Sequence, residues 1–169
     1  VACGGGDVSL KLASMAANRK VALEIDGCDI NPFSVRYATE QARRRGLQVG
    51  YFCNDVLDRL PEGYDVIICS LFLHHLQADQ IIALLREMKS SARRMILVSD
   101  LIRSRNGLFL SSTAPLLLTR SPNVHRDSVR SVKAALTIND VQTFAAEAGL
   151  TGSVVRPIWP QRFLLVWKR

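Results

Sequence analysis

The chain opens with Val1-Ala-Cys-Gly-Gly-Gly-Asp-Val-Ser9, a glycine-rich stretch that leads into a helical pattern. Glycine has no Cβ and tolerates positive φ, so a turn of this composition lets the backbone approach a ligand closely. The helix after the turn offers unpaired N–H groups in its first turn. The same composition also suits an ordinary tight connection between a strand and a helix, so the residues beyond position 9 must decide between the two.

Predicted helices and strands alternate after this turn. Apolar residues at helical spacing predict helices near 8–15, 32–46, 81–88 and 137–149. Strands are predicted at 21–29, 48–52, 64–70, 95–99, 151–156 and 162–168. The last helix begins with Thr137-Ile-Asn-Asp140, the pattern of a capping box. This order predicts a doubly wound α/β fold that ends in an antiparallel pair of strands.

Length and composition are those of an ordinary globular domain. The chain has 169 residues, of which 48% are hydrophobic and 22% charged, and a single domain over 1–169 is expected. No apolar run approaches the roughly 20 residues of a membrane span. The four cysteines include no C-x-x-C pair, so no metal site is predicted. Their pattern favours a reducing compartment, and we predict a cytoplasmic protein.

The net charge of +7 is unevenly distributed. Residues 1–100 contain 12 Lys/Arg and 12 Asp/Glu, whereas residues 101–169 contain 10 Lys/Arg and only three acidic residues. Three explanations fit this excess: a nucleic-acid partner, an anionic substrate, or a solvated basic surface.

Residues 101–136 interrupt the alternation. Two apolar stretches, 107–110 and 114–118, precede a polar, basic run that ends at Lys133. We predict an insertion that covers the carboxyl edge of the sheet as a substrate cap, because open α/β sheets bind ligands at that edge. Surface helices packed on the domain would give the same pattern.

Two acidic residues come after predicted strands in the order that a nucleoside site requires. Asp29 ends the strand after the glycine-rich turn, about 20 residues on, where a carboxylate can accept hydrogen bonds from ribose hydroxyls. Asp55 follows the next strand, where it could accept a bond from an adenine amino group. Either carboxylate alone could be a simple cap or turn residue.

Together these features resemble the class I S-adenosylmethionine-dependent methyltransferases, over nearly the whole chain. Ala2, Gly4 and Gly6 match the small positions of the family's first motif, D-x-G-x-G-x-G. The stretch Tyr64–Leu76 (YDVIICSLFLHHL) resembles the fourth-strand motif, and Met95–Asp100 resembles the fifth strand. The resemblance implies a seven-stranded, Rossmann-like sheet with an antiparallel last strand.

The resemblance also implies S-adenosylmethionine as cofactor and a set of residues that bind it. The implied cofactor residues are Ala2, Cys3, Gly4, Gly6, Asp7, Asp29, Ile30, Asn54, Asp55, Val56 and Ser70. Small-molecule members that act on quinone precursors or phenols are the most similar. A small acceptor, aromatic or quinone-like, is therefore expected, with oxygen favoured over carbon as the methylated atom.

The chain departs from the family pattern at its start. Ala2 stands where the family has its first glycine, and Val1 comes directly after the position of the motif's acid. The family's first, central strand is therefore expected to be missing or truncated. The dinucleotide fingerprint G-x-G-x-x-G fits less well, because Ser9 occupies the position of its third glycine.

The chain's three histidines, His74, His75 and His125, are the candidate bases for deprotonating a phenol or an enol. A histidine after a strand can instead pack inward or cap the next helix. Arg103 and Arg126 are the candidates for holding an anionic acceptor, since arginine binds carboxylates through two parallel bonds. Each could equally be a solvated surface residue.

Two negative observations narrow the acceptor. The segment at the end of the fourth strand is Cys69-Ser-Leu-Phe72, not the Asn/Asp-Pro-Pro-Tyr/Phe typical of methyltransferases that act on adenine or glutamine nitrogen. No appended RNA-binding motif is found, so nucleic acid is a less favoured partner. An inactive module that only binds remains an alternative, as does a nucleic-acid methyltransferase drawn by the basic C-terminal part.

Overall fold

The computed structural model describes residues 1–103 and 135–169. The chain divides into two compact units, Val1–Pro61 and Glu62–Arg169, which we call the N-terminal unit and the C-terminal unit. Whether 1–169 forms a single domain stays a prediction. Within the described residues, no helix is long and apolar enough to cross a membrane.

The N-terminal unit alternates helix and strand. Its elements are α1 (Asp7–Arg19), β1 (Asp26–Asp29), α2 (Pro32–Arg44) and β2 (Gly50–Cys53). Strands β1 and β2 pair in parallel, with Asp29 opposite Cys53 at the carboxyl end. The Asn31 side chain accepts the Phe33 N–H at 2.9 Å and so caps the start of α2. Pro32 lies in the first turn of α2, where the missing N–H of proline costs no helical hydrogen bond.

The C-terminal unit contains a mixed four-stranded sheet. Its described elements are β3 (Tyr64–Ser70), a 3₁₀ turn (Leu73–His75), α3 (Ala78–Ser91), β4 (Ala92–Leu101), α4 (Ile138–Glu147), β5 (Val154–Ile158) and β6 (Arg162–Lys168). The strand order is β3-β4-β6-β5. Strands β3 and β4 are parallel, and β6 is antiparallel to both β4 and β5.

One face of this sheet forms the core of the C-terminal unit. Alternate residues of β3, β4 and β6 are fully or nearly fully buried, as expected for a face covered by helices. They are Ile67, Cys69, Ile96, Val98, Phe163, Leu165 and Trp167. Helices α3 and α4 bury apolar stripes of their own, and α4 has the predicted capping box between Thr137 and Asp140.

The α/β class and the mixed sheet are confirmed, but the number of strands and several strand bounds differ from the prediction. The described residues form six strands in two sheets, not one seven-stranded sheet. The strand predicted from Val21 starts at Asp26, because β2 offers ladder partners only from Gly50 onward and Val21 and Leu23 remain more than half exposed. Strand β5 starts at Val154, since Gly152, at φ 77°, belongs to the turn before it.

The ends of the predicted insertion lie side by side. Ile102 and Leu136 form an isolated parallel bridge, and the Arg103 N–H donates to the Leu136 carbonyl at 2.9 Å. Residues 104–134 lie outside the described residues, so the predicted substrate cap stays a prediction.

Candidate functional site

The glycine-rich turn of the N-terminal unit has the left-handed backbone that its composition predicts. Gly4 and Gly6 have φ values of 51° and 82°. The Gly6 N–H donates to the Cys3 carbonyl at 2.9 Å, and the Cys3 N–H donates to the Cys28 carbonyl at 2.8 Å. The second bond fastens the turn to β1. A Cβ on Gly4 would meet no atom within 4 Å, so the turn has open space beside it.

Asp29 connects the end of β1 to this turn. Its Oδ2 accepts the Gly4 N–H at 2.8 Å, and its Oδ1 accepts the Asn31 N–H at 2.9 Å. The carboxylate is partly exposed, and each oxygen has a further lone pair. Asp29 can therefore hold the turn and still accept hydrogen bonds from a diol.

The segment Asn54–Val56 comes after β2 at the same edge of the two-stranded sheet. The Asn54 N–H donates to the Asp29 carbonyl at 3.1 Å, and its side-chain amide donates to the Arg59 carbonyl at 2.7 Å. The exposed Asp55 accepts the Leu57 N–H at 2.9 Å, while Val56 is buried. Asp55 thus presents a carboxylate oxygen to solvent from a loop fixed on both sides.

The C-terminal unit contains a buried histidine–carboxylate pair. His74 Nδ1 lies 2.6 Å from Asp100 Oδ1, and the two side chains are 6% and 1% exposed. Asp100 also accepts the backbone N–H groups of Phe72 at 2.8 Å and Leu101 at 2.6 Å. The register that pairs Ser70 with Ser99 brings Asp100 beside the turn that carries His74.

Asp100 is ionised in this environment. Burial alone would raise its pKa, but the hydrogen bond and charge of His74, together with backbone N–H donors, outweigh burial and hold the pKa below its ordinary 3.8. An ionised carboxylate only accepts hydrogen bonds, so His74 Nδ1 donates. In the neutral form of the ring, Nε2 is then the acceptor nitrogen, and no described residue donates to it.

His75 stacks against His74, with ring centroids 4.0 Å apart. Burial and then the neighbouring His74 lower the pKa of His75 below 6.5, although the Asp100 charge opposes them. His75 is exposed and has no carboxylate partner among the described residues. Of the two histidines, His74 is therefore the one whose proton position the structure fixes.

A family model described as "Methyltransferase domain" matches residues 1–94, more than half of the chain. The chain belongs to this methyltransferase-domain family. The resemblance to class I S-adenosylmethionine-dependent methyltransferases is confirmed, and S-adenosylmethionine is the cofactor that this family uses.

Named relatives are methyltransferases of several kinds. The chain is 34% identical over 61 residues to a candidate protein N5-glutamine methyltransferase of Methanocaldococcus jannaschii, covering 36% of this chain and 31% of that protein. It is 27% identical over 96 residues to the ribosomal protein L11 methyltransferase of Caldicellulosiruptor bescii, covering 56% and 30%. The chain thus spans about a third of the length of either relative.

A solved methyltransferase shares the fold. The magnesium protoporphyrin IX methyltransferase of Synechocystis PCC 6803, with bound S-adenosylhomocysteine, superimposes with a TM-score of 0.68 at 20% identity. The match covers 99% of this chain and 71% of that one. At this identity the likeness establishes the fold alone.

The remaining predicted cofactor residues of this methyltransferase domain lie in different surroundings. Ala2 has a left-handed φ of 49°, as the family's glycine would allow. Burial raises the pKa of the Cys3 thiol to about 11, so Cys3 is not a nucleophile at neutral pH. Asp7 lies exposed in the first turn of α1, and Ile30 is 67% exposed. Their predicted contacts with cofactor stay predictions.

Of the two predicted acceptor-binding arginines and the third histidine, the structure describes only Arg103. Arg103 is exposed and pairs with Asp140 at 3.3 Å, which is the environment of a surface residue. His125 and Arg126 lie outside the described residues. Within 1–103 and 135–169, no three His, Cys, Asp or Glu side chains come together as a metal site.

Sequence reasoning missed a hydrogen-bonded contact beneath the glycine turn. Ser9 Oγ donates to the Gly6 carbonyl at 3.0 Å, so the Tyr51 hydroxyl, 2.7 Å away, donates to Ser9. The Tyr51 ring lies where any side chain on Gly6 or Gly27 would have to go. Ser9, considered only as a missing dinucleotide glycine, therefore helps to shape the turn.

Gly6→Ala should cost several kcal/mol of stability. Its Cβ would lie 2.5 Å from the Tyr51 hydroxyl and 3.0 Å from Ala38 Cβ, at a φ of 82°. Gly46→Ala is the matched control, because Gly46 has a φ of 63° with nothing within 4 Å. Strain alone should cost this control about 1–2 kcal/mol. Urea unfolding measures both variants, and equal losses would show that the Tyr51 contact gives way freely.

Acid should weaken the C-terminal unit through Asp100. Because folding lowers this pKa, the ionised carboxylate stabilises the fold above about pH 3.8, and that contribution disappears as pH falls through the folded pKa. Asp100→Asn should therefore cost more stability at pH 7 than at pH 3. Urea unfolding of the wild type and Asp100→Asn at pH 7 and at pH 3 measures this difference in stability. Asp140→Asn is a comparison variant at a partly exposed site: backbone bonding lowers the Asp140 pKa as well, so its cost should fall in acid in the same direction. An equal cost at both pH values contradicts the prediction.

Proposed function

We propose that this chain transfers a methyl group from S-adenosylmethionine to a small, aromatic or quinone-like acceptor, with oxygen favoured as the methylated atom. The observation that carries the proposal is the buried His74–Asp100 pair. A phenol or enol must lose a proton as it is methylated, and a neutral imidazole with one nitrogen tied to a carboxylate can accept that proton. The family membership supplies the cofactor class.

The residues of the N-terminal unit fit the cofactor's nucleoside. The open space beside Gly4 leaves room for a ligand against the backbone, and Asp29 has lone pairs left for the ribose hydroxyls. Asp55 offers a solvent-facing carboxylate for the adenine amino group. S-adenosylmethionine, when bound, supplies a methyl group on a cationic sulfur that is open to in-line displacement.

The chain's own task is then to orient the acceptor and to receive its proton. His74 Nε2 is the receiving atom, and Asp100 holds the ring in the tautomer that leaves Nε2 free. When Nε2 takes the proton, the ionised Asp100 stabilises the resulting imidazolium at 2.6 Å. No covalent bond to the protein is required, and the raised pKa of Cys3 agrees with that.

The segment at the carboxyl end of β3 favours a small acceptor over a glutamine side chain. The relative from Methanocaldococcus jannaschii is named for protein N5-glutamine methylation. At the position where nitrogen-directed enzymes carry Asn/Asp-Pro-Pro-Tyr/Phe, this chain has Cys69-Ser-Leu-Phe72. Here the Phe72 N–H binds Asp100 instead, so the segment supports the histidine pair.

Calorimetric titration with S-adenosylhomocysteine, with NAD as control, tests the cofactor half of the proposal. We expect micromolar binding of the first and none of the second. Methyl transfer from labelled S-adenosylmethionine to a panel of phenols and quinone precursors then tests the acceptor half. Binding without turnover on any of them would favour an inactive binding module. Absence of binding by the folded chain would refute the cofactor half.

A further inference from the structure

Arg162 reaches across the carboxyl edge of the mixed sheet. It begins β6, opposite Leu101 at the end of β4. Its Nη2 donates to the hydroxyl of Ser70, the last residue of β3, at 3.1 Å. Ser70 stands only four residues before His74. The guanidinium therefore lies at the strand ends that also carry the His74–Asp100 pair.

The Arg162 guanidinium is only partly satisfied. Its Nε is buried and has no hydrogen-bond partner, the only buried side-chain nitrogen or oxygen among the described residues in that condition. No ion pair forms between Arg162 and any described carboxylate, whereas Arg103 has Asp140 and Arg94 has Asp65. A buried donor without an acceptor is costly to folding, so it requires an explanation.

We infer that Arg162 binds a carboxylate of the acceptor. The Nε–H and one Nη2–H lie on the same edge of the guanidinium, and a carboxylate can accept both in parallel bonds. Ser70 accepts an Nη2 proton and so fixes the rotation of this edge. The carboxylate would satisfy the buried Nε–H and neutralise a charge that no described residue neutralises.

This assignment narrows the class of acceptor. It rests on the proposed function in one respect only: that the molecule bearing the carboxylate is the methyl acceptor. The acceptor would carry an ionisable hydroxyl for His74 and a separate carboxylate for Arg162, as in hydroxylated aromatic acids. A neutral quinone precursor would leave Arg162 unsatisfied. Arg162 then takes the role that the sequence predicted for Arg103.

Nitrogen-15 NMR of the arginine Nε–H groups in the whole chain tests the anion site. The Arg162 signal is assigned by its loss in Arg162→Lys. Titration with benzoate should shift this signal in a saturable manner, and uncharged benzamide of the same shape should not. Arg162→Gln should weaken benzoate binding about tenfold or more. Arg94→Gln, at the opposite end of β4 and 80% exposed, should leave it unchanged.

Each outcome bears on the inference. An Arg162 signal that ignores benzoate, or that responds equally to benzamide, overturns it. The inference is also overturned if S-adenosylhomocysteine shifts the same signal and prevents benzoate binding, because Arg162 would then bind the cofactor's carboxylate. Ser70→Ala should weaken benzoate binding several-fold while urea unfolding remains near wild type. Benzoate binding needs no cofactor, so failure of this test is distinguishable from failure of the methyltransferase proposal.

Discussion

Replacing Asp29 by alanine should weaken S-adenosylhomocysteine binding about tenfold or more. A hydrogen bond to a charged group contributes about 1.5–3 kcal/mol, and the proposed site gives Asp29 the ribose hydroxyls. The variant also removes the acceptor of the Gly4 N–H, so the glycine turn loses one of its hydrogen bonds to β1 and keeps the bond between Cys3 and Cys28. Both effects act in the same direction on affinity, which calorimetric titration measures.

Two further variants separate these effects. Asp29→Asn keeps one carbonyl acceptor and the size of the side chain, so its loss of affinity should be smaller than that of Asp29→Ala. Asp26→Asn changes a carboxylate at the opposite end of the same strand and should bind normally. Unchanged affinity in Asp29→Ala, with urea unfolding that shows an intact fold, would refute the ribose assignment.

Local signals in the sequence were sufficient to locate each described helix and strand, and they predicted the exact bounds of β3 and β6. The apolar run Tyr64–Ser70 coincides with β3 residue for residue. A buried strand can be recognised from its own apolar residues, without knowledge of its neighbours in the sheet. The Thr137–Asp140 pattern marked the start of α4, since a capping box is formed entirely by neighbours in sequence. The stretch from Val21 was misassigned, because strand length depends on the partner strand and not on apolar character.

The site was harder to predict because it depends on contacts that are distant in sequence. His74 and Asp100 were each noticed at strand ends, yet their pairing results from the parallel register of β3 and β4. The convergence of carboxyl ends at one sheet edge was a usable signal for it. Arg162 lies 92 residues from Ser70, and only the antiparallel return of β6 brings the two together.

His74→Gln should lower kcat for a phenolic acceptor by about 10²–10⁴, the usual contribution of a positioned base. S-adenosylhomocysteine affinity should be unchanged, because the predicted nucleoside residues lie in the N-terminal unit. Steady-state kinetics and calorimetry on the same preparation measure both quantities. His75→Gln is the comparison variant. If it causes the larger loss, the base is His75 and the assignment of His74 falls.

Asp100→Asn should lower kcat nearly as much as His74→Gln. An amide has only one acceptor oxygen, whereas Asp100 uses both oxygens, one toward Phe72 and the other toward His74. If the amide oxygen keeps the Phe72 N–H, its NH₂ faces His74 Nδ1. The imidazole must then accept at Nδ1 and carry its proton on Nε2, where the base is needed.

The double variant, His74→Gln with Asp100→Asn, shows whether the two residues act through the same effect on the reaction. If Asp100 works by setting the tautomer of His74, then Asp100→Asn should have almost no further effect on kcat once His74 is glutamine. Effects that multiply would mean that Asp100 acts on the reaction independently of His74. Urea unfolding at pH 7 accompanies each variant, because Asp100 also supports the Phe72 and Leu101 backbone. A structural defect alone would lower the unfolding midpoint and the affinity for acceptor together. Loss of the His74 tautomer that carries its proton on Nδ1 would lower kcat and leave the KM for the acceptor unchanged.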